Sequence, residues 1–121
     1  MSRYAKDLGK AGEDAAADFL LSRGVVVLKR NFRAITGEID IIGEYDGLIL
    51  FVEVKTRTGT RFGRGGEAVD FRKRRKIIAT AGVFLQQNNL EGRNCRFDVL
   101  EVYPNADGSF HIVPIAGAFE A

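Results

Sequence analysis

Two carboxylates and one amine stand out as the residues best placed to do chemistry. Asp40 closes the stretch Gly37-Glu38-Ile39-Asp40, and Glu53 and Lys55 follow thirteen residues later in Phe51-Val52-Glu53-Val54-Lys55. Both stretches are apolar and β-branched enough to be strands, 38–44 and 48–55, and Tyr45-Asp46-Gly47 between them carries the signal of a tight hairpin. Residues two apart on a strand share a face. That rule places Glu38, Asp40 and Ile42 on one side of the second strand, and Ile39 and Ile41 on the other. In the third strand Leu48, Leu50, Val52 and Val54 share an apolar face, opposite Ile49, Phe51, Glu53 and Lys55. A carboxylate drawn out of water needs a partner or a metal. Two carboxylates on neighbouring strands suit a hard divalent cation such as Mg²⁺, with Mn²⁺ as an alternative. A lysine beside that ion suits the handling of an attacking water or a phosphate oxygen. The same three residues also suit a cross-strand salt bridge that does no chemistry. Glu13 is a fourth candidate, on the flank of the apolar stripe of an N-terminal helix, where it either faces the same site or lies on the helix surface.

The elements needed to position these residues are legible. Residues 4–23 read as an amphipathic helix, with Leu8, Gly12, Ala15, Ala16, Phe19 and Leu20 recurring at helical spacing and Gly24 as its stop. Val25 to Leu28 reads as a short strand. After the hairpin, residues 57–66 hold four glycines and three arginines and read as a loop. A second helix is expected over 70–89, with Phe71, Ile77, Ile78, Ala81, Phe84 and Leu85 along one side. Two final strands, 96–103 and 109–115, flank the turn Asn105-Ala106-Asp107-Gly108. Residues 116–121 carry no signal. The order is helix, three strands, helix, two strands, which predicts an α/β fold with helices packed on a sheet.

Length and composition bound the rest. The chain has 121 residues, 45% hydrophobic and 28% charged, which predicts one globular domain over 1–121. A single cysteine, Cys95, excludes an internal disulfide or a thiolate zinc cluster and fits a cytoplasmic setting. No run is long enough to span a membrane, and the first residues lack the apolar stretch of a signal peptide. The formal net charge is only +2, but Lys55 to Lys76 holds nine basic residues against Glu67 and Asp70. That segment is a candidate polyanion-binding face or a solvated loop and helix start. Within it Arg57, Arg61 and Arg64, interleaved with threonines and glycines, suit contacts to a nucleic-acid backbone, and the cluster from Arg72 and Lys73 to Lys76 opens the second helix. Phe62 reads as a stacking wedge or as the anchor of its loop. Asp98 reads as structural, His111 as a lone edge residue, and Cys95 as inert.

With these residues in place, the chain resembles a known group. Glu38-Ile39-Asp40 followed by Glu53-Val54-Lys55 is similar to the bipartite signature of the PD-(D/E)XK nuclease superfamily, whose αβββαβ restriction-endonuclease-like core, a mixed sheet flanked by helices, matches the element order. More closely it resembles the YraN-like family of bacterial proteins, relatives of archaeal Holliday junction resolvases. The matching stretches are Gly9 to Ala16, Lys29 to Arg33, Gly37 to Ile42, Phe51 to Arg57 and Arg96 to Val99. The resemblance implies that Asp40 and Glu53 bind the metal, that Glu13 completes the metal site, that Lys55 positions the water or the scissile phosphate, and that Lys73 faces the site. One departure is Ile39, where the superfamily signature has proline. The implied activity is Mg²⁺-dependent endonuclease cleavage of DNA, on branched or Holliday-junction-like structures. The alternative is a non-catalytic nucleic-acid-binding module on the same fold. Paired cuts on a four-way junction would suit a homodimer, with the Gly-rich loop or the final strand at its interface.

Overall fold

The computed structural model describes residues 3–57 and 70–121. Its elements are α1 (Arg3–Ser22), β1 (Val26–Ala34), β2 (Gly37–Tyr45), β3 (Leu48–Thr56), α2 (Phe71–Gln87), β4 (Cys95–Pro104) and β5 (Phe110–Phe119). The five strands form one sheet in the order β1-β2-β3-β4-β5. β3 and β4 run parallel and every other neighbouring pair is antiparallel, so the fold is a mixed α/β sheet with the αβββαβ order of a restriction-endonuclease-like core. A parallel pair needs a crossover, and α2 lies between β3 and β4 in the chain.

Each helix covers one face of the sheet. α1 lays Ala16, Ala17 and Leu20 on Ile41, Leu50, Val52, Leu100 and Val102. α2 lays Ile77, Ala81 and Phe84 on Ile39, Ile42, Phe51, Phe97 and Val99. The phenyl rings on that side interlock: Phe84 meets Phe32 edge-on at 5.3 Å, and Phe97 stacks between Phe51 at 5.4 Å and Phe119 at 5.0 Å. Local signals set the ends. Gly24, at φ +85°, closes α1 as Val25 N–H reaches back to the Leu20 carbonyl at 3.0 Å. Asp70 caps α2 by accepting the Lys73 amide at 2.8 Å. Asp46 and Gly47, both at positive φ, make the tight β2–β3 turn.

Several expectations need correction. β1 is not confined to 25–28 but runs to Ala34. It is an edge strand with one neighbour, so its polar run Lys29-Arg30-Asn31 is tolerated, with a register shift between Val27 and Lys29. β5 continues to Phe119, which is buried, so the tail is part of the sheet. β3 alternates as expected, but β2 does not: Ile39 and Ile42 face α2 while Ile41 faces α1. The side-chain parity therefore breaks at Asp40. Phe71 does not line the core; it is 73% exposed, well ahead of Ile77, the first buried position of α2. Among the described residues no helix is long and apolar enough to cross a membrane.

Candidate active site

The break at Asp40 follows from strand pairing. β2 and β3 pair from Tyr45↔Leu48 to Ile41↔Val52 and then stop. One step further, the Asp40 carboxylate takes the place of a backbone partner, its Oδ2 accepting the Val54 amide at 2.8 Å. Asp40 is thus wedged where the two strands part. Burial pushes its carboxyl up to about 7, and the neighbouring Glu53 carboxylate adds to the rise.

Glu53 is buried, at 8% exposure, on the β3 face that carries Phe51 and looks toward α2. Two ammonium groups meet its Oε1: Lys73 Nζ at 2.6 Å and Lys55 Nζ at 3.5 Å. Lys55 lies two residues along the same strand, while Lys73 arrives from the first turn of α2, which the Asp70 cap holds in register. Burial, and then the adjacent Lys73, lower the Lys55 ammonium below its ordinary range. For Lys73 burial works against the charge, but hydrogen bonding to Glu53 and Lys55 outweighs it, and its value is raised.

Glu13 approaches from α1. Gly12 makes this possible: a Cβ there would overlap Thr56 Oγ1, so only glycine lets the helix come this close to the end of β3. Glu13 Oε1 is buried without a hydrogen-bond partner among the described residues. Burial raises the Glu13 carboxyl; Arg30 opposes the rise, and Glu38, Asp14 and Glu53 reinforce it. Among the described residues no three His, Cys, Asp or Glu side chains draw together tightly enough to enclose an ion on their own. Asp40 and Glu53 form the core of the candidate site, with Glu13 within electrostatic reach of both. That donor set fits a Mg²⁺-type ion, which is held by one or two carboxylates and otherwise by water and phosphate oxygens. A buried acceptor without a donor beside two mutually repelling carboxylates is an arrangement that a cation relieves.

The other expected residues divide. Arg57 follows β3 directly, and its Nε lies 3.9 Å from Glu101 Oε2. Arg72 lines the open groove at the start of α2, and Lys73 sits inside the site. Arg61, Arg64 and Phe62 lie outside the described residues. Asp98 is structural: Arg96 grips it with two bonds of 2.8 Å, and it accepts the Gly117 amide at 2.9 Å, tying β5 to β4. Sequence reasoning missed Glu101. It is fully buried opposite Lys55 in the β3–β4 register, accepts the Tyr103 hydroxyl at 3.0 Å, and keeps Oε1 without a partner among the described residues. The one available signal was an acid inside the apolar run Val99-Leu100-Glu101-Val102.

The model of the uncharacterised protein family UPF0102 matches residues 12–102. A UPF0102 protein of Symbiobacterium thermophilum is 44% identical over 117 residues, 97% of this chain and 99% of its own length. One from Clostridioides difficile is 47% identical over 98 residues, 81% of this chain and 86% of its own. Another, from Persephonella marina, is 43% identical over 104 residues, 86% and 88% of the two chains. The acid-lined break between β2 and β3 thus lies within the matched span, and the chain belongs to the UPF0102, or YraN-like, family.

Proposed function

We propose that the protein is a Mg²⁺-dependent endonuclease that hydrolyses phosphodiester bonds in DNA. The observation that carries this reading is the electrostatic coupling of Asp40 and Glu53, both largely buried, at the point where β2 and β3 separate. Asp40 and Glu53 would hold the metal, with Glu13 turned toward it from α1. The ion, when bound, supplies charge neutralisation at the scissile phosphate and lowers the cost of ionising a water. Lys55, with its charge weakened by burial and by Lys73, is suited to take a proton from that water or to donate to a phosphate oxygen. Lys73, Arg72 and Arg57 would contact the DNA backbone around it, together with Arg61 and Arg64.

Branched DNA is the substrate class that the resemblance to junction resolvases favours, and paired cuts on a four-way junction need two sites. A homodimer would bring them together, and β5, an edge strand, is open to such pairing. Purified protein is expected to cleave supercoiled or four-way DNA with Mg²⁺ or Mn²⁺, and Asp40→Asn or Glu53→Gln to abolish cleavage. Full activity in both variants would overturn the assignment. One observation favours the rival reading of a binding module: Glu53 already holds two ammonium groups. Calorimetric titration with Mn²⁺ separates the two, since the module needs no ion.

A further inference from the structure

Outside the carboxylate cluster, the most unusual surface lies at the start of α2. An open groove of about 930 Å³ runs between Thr36, in the β1–β2 turn, and Phe71, Arg72, Arg75 and Lys76 of α2. Its chemistry is mixed. Three cationic side chains and the single acid Asp70, which caps α2, line it, yet the Phe71 ring is 73% exposed and the neighbouring turn residue Ile35 stands fully out in solvent. The Arg75 guanidinium lies 5.8 Å from the Phe71 ring centre. A smaller cavity shares Asp70, Arg72 and Lys76 with the groove and extends to Glu38 and Lys73. Lys73 is the residue whose Nζ touches Glu53. The groove therefore leads along one basic helix face to the candidate active site.

We infer that this groove seats an unpaired stretch of the DNA strand, with one base stacked on Phe71 and its phosphates on Arg72, Arg75 and Lys76. The inference rests on the nuclease reading and deepens it: the branched DNA it acts on would carry, or open, a single-stranded segment beside the cut. A duplex presents phosphates and keeps its base faces stacked away, so lysines and arginines alone would serve it. An aromatic ring set among cations adds affinity when a base face is free, as in single-strand binding. An apolar residue at a turn tip, here Ile35, suits the point where base pairs open.

Binding is measured in EDTA by fluorescence anisotropy, with a labelled single-stranded oligothymidylate, a duplex of equal length and a single-stranded RNA. Phe71→Ala, a change at an exposed position, is expected to weaken binding of the single strand about tenfold, while duplex binding stays within about twofold and Phe71→Trp restores the loss. Arg75→Gln is expected to weaken both. Equal losses for single strand and duplex, or no loss in Phe71→Ala, would overturn the inference, as would a Phe71-dependent preference for the RNA over the DNA strand. Without a divalent ion nothing is cut. A protein that cleaves DNA through Asp40 and Glu53 but binds single strands independently of Phe71 thus refutes the groove and leaves the nuclease reading standing.

Discussion

Lys73 Nζ lies closer to Glu53 Oε1, at 2.6 Å, than Lys55 does at 3.5 Å, although Lys55 is two residues away on the same strand and Lys73 comes from another element. The helix-borne ammonium therefore serves as the nearest counterion of the buried carboxylate among the described residues. An ion entering between Asp40 and Glu53 would compete with it. Lys73→Met is expected to tighten Mn²⁺ binding about fivefold by titration calorimetry, the equivalent of about 1 kcal/mol for an ion pair whose lysine is partly exposed. Unchanged or weaker binding would show that Lys73 does not occupy the cation's place.

Asp40 makes stability depend on pH. Its folded value of about 7 lies above the ordinary 3.8, so the folded state binds the proton more tightly than the unfolded chain. The contribution is complete below pH ~4 and is lost as pH rises through about 7. Asp40→Asn keeps an acceptor for the Val54 amide and removes the titration. Thermal unfolding of wild type should therefore lose stability relative to Asp40→Asn between pH ~4 and ~7, by an amount on the order of a few kcal/mol. Mn²⁺ affinity of the wild type should rise over the same interval, because the ion must displace that proton. A constant difference between the two proteins across this range would count against a buried, proton-holding Asp40.

Gly12 offers a test of how α1 is held. Gly12→Ala places a methyl against Thr56 Oγ1 and should destabilise by about 2 kcal/mol, as overpacking does. Thr56→Ala in the same chain should recover most of the loss, because it removes the obstructing atom. Chemical denaturation of the two single variants and the double variant measures the coupling, and additive effects would show that the helix is not limited at this point.

What was legible in the sequence follows from which neighbours decide each residue. β3 is covered on both faces, so its alternation of Leu50 and Val52 against Ile49 and Phe51 was readable, and the Asp46-Gly47 turn marked where β2 gives way to β3. The parity break at Asp40 was not readable, because it depends on the Val54 amide becoming free where the pairing ends. β1 looked like a four-residue strand because an edge strand tolerates Lys29 and Arg30. Phe71 fell on the helical apolar stripe, yet the stripe alone does not tell where the sheet beneath it ends. Lys73 joined Glu53 only through the docking of α2, a contact between residues twenty positions apart that no local pattern encodes.

Glu101 gives the last prediction, because its burial reverses the usual intuition about charge removal. Its side chain has no exposure, its Oε2 is held by the Tyr103 hydroxyl at 3.0 Å and by Arg57 at 3.9 Å, and its Oε1 has no donor among the described residues. Keeping a carboxylate there is costly, and the long contact to Arg57 compensates it weakly. Glu101→Gln keeps the shape and an acceptor for Tyr103 while removing the buried charge, so it should leave stability unchanged or raise it by about 1 kcal/mol. Arg57→Ala removes the nearest cation and strands the acid, and should cost about 2–3 kcal/mol. If Arg57 acts on Glu101 in this way, the double variant Arg57→Ala with Glu101→Gln should regain most of that loss in urea unfolding. A double variant as unstable as Arg57→Ala alone would mean that Arg57 stabilises the end of β3 through its backbone bond to Val102 and its aliphatic stem, not through the buried carboxylate.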